Sequence, residues 1–102
     1  MNTCVIVGRI KQSPEFTTTS KGASVCRLVI ESEKNFRNDD GMQGYDEFRV
    51  TLWRGLCTEA ETLAVPGSRV AVIGRLMSAC YQKDDKSYYN VDIYAEKIEY
   101  SA

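Results

Sequence analysis

Residues 45–56 read YDEFRVTLWRGL, and taking them as a strand decides how the rest of the chain is arranged. With the two-residue period of a strand, Phe48, Val50 and Leu52 share one face, while Glu47, Arg49, Thr51 and Trp53 share the other. The first set is a core face. The second puts the sole tryptophan of the chain on a polar face, beside Arg49 and next to Arg54. A large aromatic among cations has a use there when a flat ligand stacks on it. The alternative is a packing role, with the indole edge covered where the strand ends beside a helix.

Upstream, residues 25–33 (VCRLVIESE) form a second strand apolar enough to lie centrally, joined to the first stretch by the polar, glycine-punctuated segment 34–44 (KNFRNDDGMQG). That segment reads as a long hairpin loop carrying an exposed Phe36. Residues 12–23 are turn-rich, with Ser13-Pro14 breaking a strand and Ser20-Lys21-Gly22 offering a tight turn. Residues 3–11 (TCVIVGRIK) are the opening strand, in which Gly8 marks a bulge or a close approach. Downstream, residues 55–65 hold the one helix, with Leu56, Ala60, Leu63 and Ala64 on a common side and Pro66-Gly67 as its stop. A long fourth strand, 69–81, has Gly74 where a coiled sheet would bend. QKDDKS (82–87) is a charged hairpin tip, and a fifth strand, 88–100, alternates through Tyr89, Val91 and Ile93. Three strands, a short helix and two more strands predict an all-β OB-fold: a five-stranded Greek-key barrel with one short helix between strands 3 and 4, a single domain over residues 1–102. Barrels of this kind bind single-stranded nucleic acids or oligosaccharides.

Composition removes several classes. The chain has 102 residues and no histidine, so Ser-His-Asp and Cys-His machinery is absent and an enzyme is not expected. The acidic doublets Asp39-Asp40 and Asp84-Asp85 fall on loop tips, where solvated turn residues are the expected reading. Gly41 and Gly44 are not followed by Lys-Ser or Lys-Thr, so no phosphate-cradling loop is present. Cys4, Cys26, Cys57 and Cys80 are scattered without a C-x-x-C pair, which argues for reduced thiols and no metal. Apolar runs fall far short of the ~18 residues of a membrane span, and no signal peptide is legible, so a cytoplasmic protein is expected. The formal net charge of −1 does not advertise a polyanion partner; a nucleic-acid site has to be a local basic face.

Binding of single strands calls for aromatics interleaved with positive charge, because bases stack on rings while Lys and Arg follow phosphates. Three clusters repeat that chemistry: Phe36 with Lys34 and Arg37, Trp53 with Arg49 and Arg54, and Tyr81 beside Lys83 and Lys86. Each aromatic has a partly buried packing role as its alternative, and each charged tip has a solvated surface as its own.

The chain resembles the bacterial single-stranded DNA-binding proteins over essentially its whole length. The resemblance rests on the opening N-T-x-V-I-V-G-R, the S-x-G turn at Ser20 to Gly22, the V-x-L-W-R stretch at Val50 to Arg54, and P-G-S-R-V-A-V-I-G-R-L at Pro66 to Leu76 followed by Tyr81. It implies base stacking at Phe36, Trp53 and Tyr81, with Arg75 added to the cationic residues along the DNA. It also implies an OB-fold without cofactor whose first strand helps build a dimer, commonly doubled to a tetramer around which DNA wraps. Action on nucleoid DNA in replication, recombination or repair follows, with replication or repair proteins among the partners. Glu47 stands where the family usually has an aromatic, Gly55 where a lysine is common, and residues 77–80 lack basic residues often seen there. Members serving as hubs carry an acidic tail; this sequence ends at Ser101-Ala102, as expected of a tail-less member or of a trimmed OB domain. The near-neutral charge and Glu47 motivate a second reading, a primosomal replication-restart type of barrel that mainly docks partner proteins and binds single-stranded DNA weakly.

Overall fold

A computed structural model describes residues 1–101. The elements are β1 (Cys4–Ile10), β2 (Glu15–Thr18), β3 (Ser24–Arg37), β4 (Gln43–Trp53), α1 (Gly55–Leu63), β5 (Arg69–Lys83) and β6 (Lys86–Tyr100). The sheet runs β1-β5-β6-β4-β3-β2, and β1 also pairs with β3, so five strands close on themselves. All neighbours are antiparallel except β4 and β6, where Val50 faces Ile93 and Thr51 faces Tyr94 in parallel. This is the OB-fold barrel expected from the sequence, with α1 between its third and fourth strands.

One strand more than expected appears, inside the segment read as turns. β2 continues the line of β1 along the same edge of β3: Ile10 faces Ile30, and Glu15 faces Arg27. Between those pairs the first chain runs through Lys11, Gln12, Ser13 and Pro14, while β3 spends only Val29 and Leu28. Pro14 has no N–H to offer a ladder, so the strand bulges out at Ser13-Pro14 and then rejoins.

The presumed long loop at 34–44 is mostly strand as well. β3 extends to Arg37 and β4 starts at Gln43, so Phe36 lies on a strand near a tight turn. Polar residues hold this extension. The Lys34 ammonium pairs with Asp46, Gln43 Nε2 donates to the Lys34 carbonyl, and Asp40 Oδ1 accepts from the Met42 N–H in the turn. Apolar periodicity could not reveal a strand supported by cross-strand polar contacts beyond the barrel. The charged tip is likewise tighter than expected: Asp84 and Asp85, at φ 52° and 63°, form a two-residue turn that sets Lys83 opposite Lys86.

Ile10, Leu28, Ile30, Val50, Leu52 and Val72 fill the barrel. α1 packs against β3, β4 and β6, burying Cys57 and Ala60, with Ala64 buried just past its end. Leu63, expected on that side, is half-exposed because the helix ends there and the chain turns away. Thr51, expected on the polar face, is buried between its neighbours on β3 and β6. Cys26 and Cys57 are buried free thiols, and burial pushes Cys26 up to about 12; Cys4 is half-buried and Cys80 exposed. Among the described residues no helix is long and apolar enough to cross a membrane, and no His, Cys, Asp or Glu cluster could hold a metal.

Candidate nucleic-acid interface

β4 positions the central part of the site. Its inward residues Val50 and Leu52 anchor the strand in the core, which turns Arg49, Thr51 and Trp53 outward. Direct cross-strand partners share a face, so Arg27 on β3 and Tyr94 on β6 flank Thr51, and Arg75 on β5 faces Tyr94. Trp53 is half-buried opposite Val25. Its ring centroid lies 6.2 Å from that of Tyr94, with the planes at 52°. The indole Nε1 is buried without a hydrogen-bond partner, so packing and not a hydrogen bond fixes the ring. Arg49, Arg54 and Arg75 are exposed in this neighbourhood. Packing and stacking, set against each other for Trp53 in the sequence, are compatible: the ring packs against Tyr94 and is only half-buried.

The remaining two clusters sit at the ends of two separate hairpins. Phe36 is 67% exposed near the β3–β4 turn, but its neighbouring cations are engaged. Lys34 pairs with Asp46, and Arg37 donates to the Gly41 carbonyl. Asp39 and Asp40 line the same groove as Phe36, so this cluster is electrostatically weaker than its sequence suggests. Tyr81 lies on β5, stacked on Tyr88 of β6 at 5.4 Å and 18°, with Lys83 and Lys86 beyond them. Glu47 forms an ion pair with Lys11, which raises the lysine pKa and counters the carboxylate that stood as a concern for a DNA path.

Arg27, Tyr88 and Tyr94 were not singled out in the sequence. The tyrosines were findable from the turn. If Asp84 and Asp85 are its two residues, 83 faces 86, and hence 81 faces 88 and 75 faces 94.

Arg54 has an unusual backbone, φ 53° and ψ −114°, a region that glycine enters freely and other residues rarely do. Gly55 follows immediately and needs no such freedom, so the strained position holds the arginine. Arg54→Gly is expected to raise unfolding stability by about 1 kcal/mol through relief of that strain. In the same variant single-strand affinity should fall, with the salt dependence of log K shrinking by about 0.7, one phosphate contact. Urea unfolding and a salt titration read both.

Comparisons agree with this geometry. Residues 1–101 match the model of the Single-strand binding protein family. The chain is 27% identical over 100 residues to single-stranded DNA-binding protein B of Bacillus subtilis, covering 97% of this chain and 88% of that one. It is 30% identical over 101 residues to single-stranded DNA-binding protein 3 of Listeria innocua, covering 98% of this chain and 63% of that one. Among solved structures, a Plasmodium falciparum SSB in complex with ssDNA superposes with a TM-score of 0.81 at 16% identity, covering 100% of this chain and 96% of that one. A deletion mutant of the single-stranded DNA binding protein from Thermus aquaticus gives 0.80 at 22% identity, with 100% and 51% covered. The two structures establish the shared fold, and the family model, matched along all the described residues, establishes that this chain belongs to the single-strand binding protein family.

Proposed function

We propose that this chain, as a single OB domain, binds single-stranded DNA without regard to base sequence, in replication, recombination or repair of nucleoid DNA in the cytoplasm. The observation that carries the reading is Trp53: a half-buried ring held by Tyr94 on the outer face of the barrel, with Arg49, Arg54 and Arg75 exposed around it. Bases stack on such a ring whatever their identity, and guanidinium groups meet the phosphates. Tyr81 with Lys83 and Lys86 extends the site, and the exposed Phe36 ring adds a stacking contact at the other hairpin, with a smaller charge contribution from Lys34 and Arg37, which are engaged by Asp46 and the Gly41 carbonyl. Binding involves neither a cofactor nor a metal. Family membership favours direct DNA binding over the docking-module reading.

The chain acts as a homo-oligomer, a dimer or a tetramer. Over Cys4–Ile6, β1 is paired only with β5; the Val7 carbonyl then accepts from Ser32 Oγ, Gly8 lies against the Glu31 backbone, and backbone pairing with β3 begins at Arg9. An open edge of this kind accepts a further strand. Val5, Val7 and Ile73 add exposed apolar surface on the outer side of the same sheet.

Anisotropy of a fluorescein-labelled oligothymidine tests the reading against a duplex of equal length. Binding to the single strand, with log K falling linearly as log salt rises, is the expected result. Equal affinity for the duplex, or no binding at low salt, contradicts it.

A further inference from the structure

The β5–β6 hairpin projects past the barrel, and its two faces differ in chemistry. Pairing places Arg75 with Tyr94, Tyr81 with Tyr88 and Lys83 with Lys86 on one face. Leu76 with Ile93 and Cys80 with Tyr89 lie on the other. The first face is continuous with the outer surface that carries Trp53, because Tyr94 belongs to both. Each aromatic on it is half of a pair: Trp53 against Tyr94, and Tyr81 against Tyr88 with 48% and 40% of their surfaces exposed.

We propose that Tyr88 and Tyr94 are DNA-contact residues, completing two-ring platforms between which the single strand runs along the outer face of the hairpin. This rests on the single-strand reading above and extends it to residues outside the three clusters. Two rings packed on one another restrict each other's rotamers, so less side-chain freedom is lost when a base joins the stack. The near-parallel Tyr81 and Tyr88 rings leave an outward face on each for a base to continue the stack. Arg75 at one end and Lys83 with Lys86 at the other supply positive charge. Asp92, opposite Met77 between the platforms, repels phosphate, so the bases and not the backbone face the sheet there.

Tyr89 provides the control. It adjoins Tyr88 in sequence, is 73% exposed, and lies on the opposite face. In oligothymidine anisotropy at low salt, Tyr88→Ala and Tyr94→Ala should each weaken binding about 5- to 100-fold. Tyr88→Phe and Tyr94→Phe should bind like the parent, since the ring and not the hydroxyl is used, and Tyr89→Ala should do the same. Tyr94→Leu fills the space beside Trp53 without a ring, and should lose affinity with the fold intact by circular dichroism. The proposal is overturned if the parent binds and Tyr88→Ala binds equally well, or if Tyr89→Ala is as damaging as Tyr88→Ala. A parent chain that fails to bind overturns the single-strand reading itself, and this proposal with it.

Discussion

Gly8→Ala should lower unfolding stability by about 3 kcal/mol or more, the upper end of overpacking costs. A β-carbon at Gly8 would lie 2.2 Å from the Glu31 carbonyl oxygen and 2.9 Å from its carbon. Both are backbone atoms, so no side-chain rotation relieves the contact. The position is also where the barrel closes: β1 pairs with β3 only at Arg9 and Ile10, directly after Gly8. Moving the strands apart to admit a methyl group opens that seam. Gly74→Ala should behave similarly, with its β-carbon 2.3 Å from the Tyr94 carbonyl oxygen at the bulge between β5 and β6. Small domains have only about 5–15 kcal/mol of stability in all, so either variant removes a large part of it. Urea denaturation measures the loss; a cost below about 1 kcal/mol at Gly8 would mean the seam is looser than these distances imply.

Trp53→Ala is expected to have the largest effect on DNA binding, a loss of about 1–3 kcal/mol, or roughly 5- to 150-fold in affinity. The same variant should also be less stable by about 2 kcal/mol, because the ring is half-buried against Tyr94. Trp53→Phe separates the effects: it keeps much of the packing and a stacking face, and should retain most of the affinity. If Trp53→Ala loses this stability while binding is unchanged, the ring is packing alone.

The strands that fill the barrel were legible because burial imposes a period: Val50 and Leu52 point into the core while Arg49 is exposed and Trp53 half-buried, Thr51 alone departing because its strand neighbours cover it. Gly8 and Gly74 were legible as special positions because a strand interior otherwise has no use for glycine. The parts that escaped lie outside the core. β2 and the outer half of β3 are held by backbone pairing, the Lys34–Asp46 ion pair and turn contacts, which leave no apolar pattern. The candidate site divides along the same line. Trp53 stood out as an aromatic on a polar face, whereas Tyr94 and Tyr88 acquire meaning only once the register puts them beside Trp53 and Tyr81. Adjacency in sequence also overstated the cations near Phe36, since Lys34 and Arg37 are occupied within their own hairpin.

Trp53 is the only tryptophan in the chain, so its emission reports on one place. Titration with oligothymidine in low salt should quench that emission to saturation, and added salt should restore it as the complex dissociates. Unchanged emission in a complex that anisotropy shows to be formed would put the DNA elsewhere on the barrel and contradict the account.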